Sequence, residues 1–309
     1  MSRYVASAAL LLVSLAVFGQ TQEAVSPSGR VLNGHLFLPS EVVGDPFITT
    51  YLGEGTAFGY ATISANQVDN QGNVVGKTQF RLGSLGQGFN FQLGIQDSWA
   101  IRLAASGMVL SGINAESALT FGATIGYSLS TGATYSFLLG GVRLAGALDL
   151  EYSPHYTVSP LVALVNALVN NTIDTSTLFT SQDTIRLRPA LLAAMGLGPA
   201  LGLRAVVDYV HESVSGTQAS SNGAIGLGAA LDFDFHALTP VPLGLLAGYK
   251  LSMPTAGVVG HQLSFGLFYT GRSNLGLGLE TVMQLPAAPA GTSDFLILLV
   301  GINLRYYWS

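Results

Sequence analysis

Large apolar residues recur at every second position along most of this chain. In the stretch 223–237, GAIGLGAALDFDFHA, the odd positions from Ile225 to Phe235 are mostly large and apolar. The even positions carry Gly, Ala, Asp232 and Asp234. The same alternation fills the C-terminal stretch 296–308, LILLVGINLRYYW. A period of two predicts β-strands with one apolar and one polar face, whereas a helix would scatter both sets around its circumference.

Twelve segments with this period are predicted as strands, joined by links that alternate between short and long. The predicted strands are 55–68, 76–96, 99–110, 117–130, 133–154, 184–197, 200–213, 222–236, 241–253, 259–272, 274–286 and 293–308. Two strands contain a change of parity, near Ser84 to Gly88 and at Gly140–Gly141, and each change is interpreted as a glycine bulge. If either change instead hides a turn, the count rises to fourteen or sixteen.

The charged residues of these strands lie on the face opposite to the large apolar side chains. The basic members are Arg81, Arg102, Arg143, Arg186, Arg188, Arg204, Lys250, Arg272 and Arg305, and the acidic members are Asp149, Glu151, Asp208, Asp232, Asp234 and Glu280. Gly, Ala and Ser dominate the rest of that face. A soluble sandwich would display a densely charged exterior, so this pattern favours a lipid-facing apolar exterior around a polar lumen.

Composition supports a membrane location. Only 9% of the 309 residues are charged and 49% are hydrophobic, against about 25% charged in a typical soluble domain. Beyond the N-terminus, no stretch approaches the roughly 18 to 20 apolar residues of a membrane-spanning helix. The predicted fold class is therefore all-β, a closed antiparallel transmembrane β-barrel of about twelve strands.

The N-terminal 54 residues precede the predicted barrel at 55–309. Arg3 and the apolar run from Val5 to Phe18 have the layout of a secretory signal peptide, residues 1–19, with a single membrane anchor as the alternative. Residues 20–54 are too irregular to pair as a strand. They form either a plug that enters the lumen or a periplasmic lead-in, and their apolar residues around Phe37 and Phe47 favour burial.

These features together resemble bacterial outer-membrane β-barrels over residues 55–308. The resemblance rests on the signal peptide, the two-residue repeats, the alternating link lengths and the aromatic end Tyr306–Tyr307–Trp308. It implies an outer membrane of a Gram-negative-type bacterium after signal-peptide cleavage, contact with outer-membrane lipids, and recognition of the C-terminal strand by the barrel-assembly machinery. Ser309 after Trp308 departs from the aromatic final residue usual in this class. The resemblance leaves the particular family open.

Residues 158–172 break the period of two and predict one short amphipathic helix in the longest, extracellular link. Its apolar side recurs at i, i+3, i+4, i+7 and i+8, and comprises Leu161, Leu164, Val165, Leu168 and Val169. We expect this helix either to form an apolar constriction or ligand shelf at the barrel mouth, or simply to cap the rim.

The sequence gives little support for a catalytic site, a metal site or a nucleic-acid-binding surface. His211-Glu212-Ser213 resembles the His-x-Ser of outer-membrane phospholipases, but the third member is missing, because Asn222 has inward parity. The other histidines lack metal-ligand spacing and there is no cysteine. A net charge of −5 without a basic cluster argues against a nucleic-acid partner. No enzyme, metal or cofactor is predicted.

The predicted function is a channel or transporter that passes small solutes through a narrow polar lumen. Eight strands nearly fill a barrel interior and sixteen to eighteen leave an aqueous channel, so twelve should give a narrow bore that small lumen residues keep open. The nine basic against six acidic lumen residues predict a weak anion preference. The alternatives are a fatty-acid-type transporter of hydrophobic compounds, a phospholipase-like enzyme, and a structural or adhesive barrel.

Overall fold

The computed structural model describes residues 30–68, 74–161, 178–216, 219–256, 259–285 and 292–308. The predicted signal peptide therefore lies outside the described residues. So do Leu164, Val165, Leu168 and Val169 of the predicted loop helix, of which Pro160 and Leu161 are described and are helical.

A closed antiparallel barrel of twelve strands makes up most of the described chain, as predicted. A short hairpin of β1 (Val31–Leu32) and β2 (His35–Leu36) precedes it. The barrel strands are β3 (Thr50–Val68), β4 (Val74–Ile95), β5 (Trp99–Gly112), β6 (Ala123–Leu139), β7 (Val142–Val158), β8 (Phe179–Gly196), β9 (Leu201–Gly216), β10 (Ser220–Asp234), β11 (Leu243–Pro254), β12 (Gly260–Tyr269), β13 (Leu275–Leu285) and β14 (Thr292–Trp308). Pairing of β14 with β3 closes the ring.

The outer face of the wall is apolar, and the charged residues of most strands point inward. On β14 the outward Ile302 and Leu304 are about half exposed, whereas the inward Asn303 and Arg305 are buried. Exposure of the large apolar residues is the reverse of a soluble core and is the arrangement of a lipid-facing barrel wall. Among the described residues, no helix has the length and apolar character to cross a membrane.

The links alternate between the two ends of the barrel, and the two longest, 113–122 and 159–178, lie at the same end. The predicted strict alternation of short and long links fails at the three-residue link 217–219 and the eight-residue link 235–242. We call the end that holds the links 96–98, 140–141, 197–200, 235–242 and 270–274 the short-turn end, and the opposite end the long-link end. In outer-membrane barrels the short turns are periplasmic and the longer loops are extracellular.

One predicted turn is wrong. Residues 130–132 were expected to form a turn, but they lie inside β6, where Ser130 pairs with Glu151 and Gly132 with Asp149. The turn instead falls at Gly140–Gly141, where a bulge was expected. Both glycines have positive φ, 56° and 84°, which is the backbone of a tight two-residue hairpin turn.

The predicted change of parity near Ser84 to Gly88 is also wrong. β4 keeps one register with β3 from the pair Gln67–Gly76 to the pair Tyr51–Gln92. Since the parity does not change, Arg81 lies on the outer face with Leu85 and Phe89, exposed beyond the apolar belt at the long-link end. Its assignment to the lumen is therefore corrected.

A helix, α1 (Ala115–Phe121), replaces the predicted start of the fourth strand at residue 117. The Asn114 side chain caps it by accepting a hydrogen bond from the backbone N–H of Ser117 at 2.9 Å. Gly122, at φ +66°, ends it by donating its N–H to the Ala118 carbonyl. Phe121 packs edge-on against Phe80 of β4, with ring centroids 5.0 Å apart. This helix covers part of the long-link end.

Candidate functional site

Residues 30–49, which we call the inner segment, lie inside the barrel at its short-turn end. Phe37, Leu38, Val43 and Phe47 are each at most 1% exposed, although this segment is not part of the barrel sheet. At its tip the Ser40 hydroxyl accepts hydrogen bonds from the backbone N–H groups of the residues at 42 and 43, which turns the chain back. The segment thus forms a loop that fills the short-turn half of the lumen.

Glycines in the wall make room for the inner segment. A Cβ added at Gly202 would lie 2.3 Å from the His35 ring, and one at Gly196 would lie 2.0 Å from the Leu32 carbonyl oxygen. At Gly244 the added atom would meet Leu38 at 2.9 Å. These small residues therefore hold the segment close to the wall.

Several inward glycines of β10, β12 and β13, strands whose small residues were expected to keep a bore open, are covered by neighbouring side chains. The Asp208 carboxylate lies against Gly226, and the Phe268 ring lies against Gly266 and Gly278. At Gly226, Gly266 and Gly278 the expected reason for the small residue is therefore wrong, because these glycines accommodate packed side chains.

A buried ion pair of the wall reaches the inner segment. Arg204 on β9 and Asp232 on β10 are both fully buried, and an Arg204 Nη lies 2.7 Å from an Asp232 Oδ. Arg204 also lies 3.8 Å from the Asp45 carboxylate of the inner segment, and its guanidinium stands over the Phe37 ring. One arginine thus joins two wall strands to the segment.

A second set of contacts holds the tip of the inner segment on the opposite wall. Glu41 lies 3.8 Å from Arg305 on β14. Its backbone N–H donates to both carboxylate oxygens of Glu280 on β13, at 3.2 and 3.3 Å. Arg143 stands over the Phe47 ring. The segment is therefore tied to the wall by charges on several strands.

Two titratable groups of the inner segment respond to pH in opposite senses. Burial raises the pKa of Asp45 from 3.8 to about 6, although Arg204 opposes this. We call the position of the inner segment inside the barrel its seating. Asp45 therefore stabilises seating below pH 3.8, and this contribution is lost as the pH rises through about 6. Burial lowers the pKa of His35 from 6.5 to about 4. His35 therefore stabilises seating above pH 6.5, and this contribution is lost as the pH falls through about 4.

We therefore expect the contributions of Asp45 and His35 to oppose each other between pH 6.5 and 4, and Asp45→Asn to remove the one that strengthens seating on acidification. Acidification over that range should weaken the seating free energy of this variant by about 3 kcal/mol relative to the unmodified protein. In His35→Gln the same acidification should strengthen seating. Membrane current recorded against pH measures the release, with a variant lacking residues 31–48 as the control for pH effects on the pore. A flat profile for Asp45→Asn would contradict the assignment.

Above the inner segment, ion pairs run along the wall from β5 to β11. Arg188 and Lys250 both contact the Asp208 carboxylate, at 2.6 and 2.5 Å. Arg186 contacts Glu151 at 2.9 Å and Glu212 at 2.6 Å. These charged residues lie on neighbouring strands and point inward. The antiparallel register brings their side chains to similar heights in the barrel, so they can form ion pairs.

Some of these charged groups reach open lumen. Arg102 contacts Asp149 at 2.6 Å, and the Asp149 side chain is 30% exposed. The Arg188 side chain is 39% exposed and that of Glu212 is 23% exposed. Because these residues point into the barrel, their exposure marks open space beyond the inner segment.

The facing wall of the lumen is apolar, which the sequence interpretation did not anticipate. Leu82, Met108, Leu110, Ile297 and Leu299 are buried on the inner face of β4, β5 and β14. They pack in one apolar cluster with Leu38, Val42 and Val43 of the inner segment, so this side of the lumen is filled while the segment is in place.

The predicted excess of basic lumen residues is absent. Arg272 lies beyond the end of β12, exposed in a turn, where its Nε donates to Asn274; its assignment to the lumen is corrected like that of Arg81. Within the described chain, eight basic interior residues face nine acidic ones. The basic ones are Arg30, Arg102, Arg143, Arg186, Arg188, Arg204, Lys250 and Arg305, and the acidic ones are Glu41, Asp45, Asp149, Glu151, Asp208, Glu212, Asp232, Asp234 and Glu280.

His211 and Ser213 are exposed on the outer face of β9. Their paired neighbours are Gly223 and Leu187 for His211, and Ser221 and Ile185 for Ser213. These positions supply neither a carboxamide nor a carboxylate to orient the histidine, as a nucleophilic site would require.

No protein-family model matches the sequence, and no curated protein matches it. Solved structures do match its fold. The transport unit of the autotransporter AIDA-I from Escherichia coli is 7% identical with a TM-score of 0.54, over 89% of this chain and 95% of that one. An outer membrane channel from Pseudomonas putida F1 is 12% identical with a TM-score of 0.51, over 88% and 100%. The translocator domain of the autotransporter NalP from Neisseria meningitidis is 8% identical with a TM-score of 0.50, over 82% and 88%. The shared feature is the fold of outer-membrane β-barrels.

Proposed function

We propose that this protein is a gated outer-membrane channel for small polar solutes, closed at its periplasmic end by the inner segment. The observation that carries the proposal is the charged wall above the segment, where Arg188, Asp149 and Glu212 retain exposure inside the barrel. Charged side chains facing open lumen solvate polar solutes and water better than an apolar bore does.

The inner segment suits a gate because the barrel does not depend on it for strand pairing. All twelve strands pair with one another in a closed ring, so the segment can leave without exposing a sheet edge. It is held by side-chain contacts such as Arg204 with Asp45 and Arg305 with Glu41. Movement of the segment therefore breaks these contacts and exposes its buried apolar residues, but it breaks no strand pairing of the barrel.

The upper lumen is expected to be weakly selective. Its four basic residues, Arg102, Arg186, Arg188 and Lys250, meet four acidic ones, Asp149, Glu151, Asp208 and Glu212, in pairs. Opposite charges in contact cancel most of the field along the pore. We therefore propose a channel without the anion preference that the sequence predicted.

Two charge variants test whether ions pass this wall. Asp208→Asn leaves Arg188 and Lys250 without their carboxylate and should shift the reversal potential in a salt gradient toward anions. Arg186→Gln leaves Glu151 and Glu212 without their cation and should shift it toward cations, because fixed pore charge favours counter-ions. Shifts of opposite sign in planar bilayers support the proposal, with Arg272→Gln, outside the lumen, as the control. Unchanged reversal potentials in both variants would refute the pathway.

A hydrophobic transporter is a second candidate, because departure of the inner segment would uncover the apolar side chains that now pack against its tip: Leu82, Met108, Leu110, Ile297 and Leu299. Such a surface binds the body of an apolar ligand. This candidate predicts a silent bilayer recording together with saturable binding of a fluorescent fatty acid. Met108→Glu should abolish that binding. Unchanged binding in this variant would show that the ligand site lies elsewhere.

A further inference from the structure

A polar pair lies on the outer wall of the barrel. Glu54 on β3 and Gln87 on β4 are both exposed, and the Gln87 amide donates to the Glu54 carboxylate at 2.9 Å. Large outward residues surround them, including Leu52, Phe58 and Phe89, each more than half exposed. The pair is thus a polar site within an apolar surface.

The strand register places this pair inside the lipid-facing belt. Glu54 pairs with Leu304 of β14 and Thr56 pairs with Ile302, and both β14 residues are outward and exposed. Gln87 lies opposite Thr56, farther from the short-turn end than Glu54. The Glu54 carboxylate therefore extends toward Gln87, deeper into the belt, and away from the nearer aqueous boundary.

The pair leaves hydrogen-bonding capacity unused in hydrocarbon. A carboxylate accepts several hydrogen bonds, and a glutamine amide has two donor protons and an acceptor oxygen. The Glu54–Gln87 bond uses one donor. Polar groups that remain unpaired in the bilayer are costly, because lipid chains supply no partner.

Small outward residues beside the pair allow another protein surface to approach closely. On β5, Ala105 pairs with Phe89 and Gly107 pairs with Gln87, and both small residues face outward and are exposed. A patch of small residues next to polar groups lets a second protein wall approach within hydrogen-bonding distance.

We infer that the outer face around β3 and β4, with β5 at its edge, is the contact between two copies of this chain, related by a two-fold axis that passes between Glu54 and Gln87, close to Thr56. A two-fold axis presents the same patch from both sides, so Gln87 of each copy donates its second amide proton to Glu54 of the other. The pair is self-complementary, since each copy offers one free Gln87 amide proton as donor and the Glu54 carboxylate as acceptor. This inference is independent of what passes through the lumen.

Single cysteines test the contact directly, because the chain has no cysteine of its own. Thr56→Cys, beside the proposed axis, should form a disulfide-linked dimer when the protein in native outer-membrane vesicles is oxidised. Ala229→Cys, outward and exposed on the opposite side of the ring, should remain monomeric. Equal cross-linking of both variants, or none at Thr56→Cys, would overturn the inference.

A second variant separates the polar contact from general crowding. Replacing both residues, Glu54→Leu with Gln87→Leu, should weaken the dimer at least tenfold by light scattering in detergent. Thr131→Leu, an outward polar residue on β6, should leave it unchanged. Heat-modifiable gel migration shows that each variant is folded. A dimer that survives the double change, or a monomeric unmodified protein, would refute the two-fold contact.

Discussion

Deletion of residues 31–48 is expected to raise the time-averaged current through the barrel on the order of 100-fold, which corresponds to about 2.7 kcal/mol of lost closing energy. The deletion removes Phe37, Leu38, Val43 and Phe47 from the lumen, where each is almost fully buried. It leaves the closed strand ring intact, since β3 begins at Thr50. Single-channel recording in planar bilayers measures the change.

A point substitution should reproduce part of this effect without shortening the chain. A Cβ at Gly202 would lie within 2.5 Å of two His35 ring atoms, so Gly202→Ala should displace the inner segment and increase the current. Gly260→Ala is the matched control, because its added Cβ would meet only Ser252, at 4.0 Å. A deletion variant whose current equals that of the unmodified protein would show that the inner segment is not the barrier.

Arg204→Met is expected to lower the free energy of unfolding by about 3 to 5 kcal/mol, the range for breaking a buried ion pair. The change leaves Asp232 and Asp45 buried without their shared cation. Urea unfolding of the protein in lipid vesicles measures it. Arg272→Met, at an exposed turn, should change the value by less than about 0.5 kcal/mol.

The double change Arg204→Met with Asp232→Leu distinguishes lost charge pairing from lost packing. It removes both charges of the buried pair, so part of the stability should return. If the double variant is as unstable as the sum of the two single variants, Arg204 and Asp232 act independently and their pairing is not what stabilises this layer.

The two-residue period predicted the barrel and the face of most strands, because the alternation within a strand does not depend on how the turns at its ends are built. It failed at Gly140–Gly141, since a glycine with positive φ serves a bulge and a two-residue turn equally well. It failed again at 115–121, because a seven-residue helix capped by Asn114 is too short to impose its own period on the sequence.

The candidate site was predicted less completely than the wall. Parity placed Arg186 and Glu151 inside, and it would have placed Glu212 there too, between the outward His211 and Ser213. It could not show that Arg186 contacts both carboxylates, since that depends on the register of three strands. The wall residues that contact the inner segment could not be predicted either. Residues 30–49 have no regular period, so their sequence does not indicate contacts with Arg204 or Glu280.

The two ends of the inner segment lie at the same end of the barrel. Arg30 stands over the Tyr307 ring, 5.1 Å from its centroid, and Thr50 pairs with Trp308. The segment therefore enters the cylinder as a folded-back loop, and no chain end has to be threaded through a completed ring. The seam between the first and last strands can close during biogenesis around a vacant interior, and the loop can be inserted afterwards from the side on which the chain is delivered. On the proposed gating, opening would reverse this insertion step.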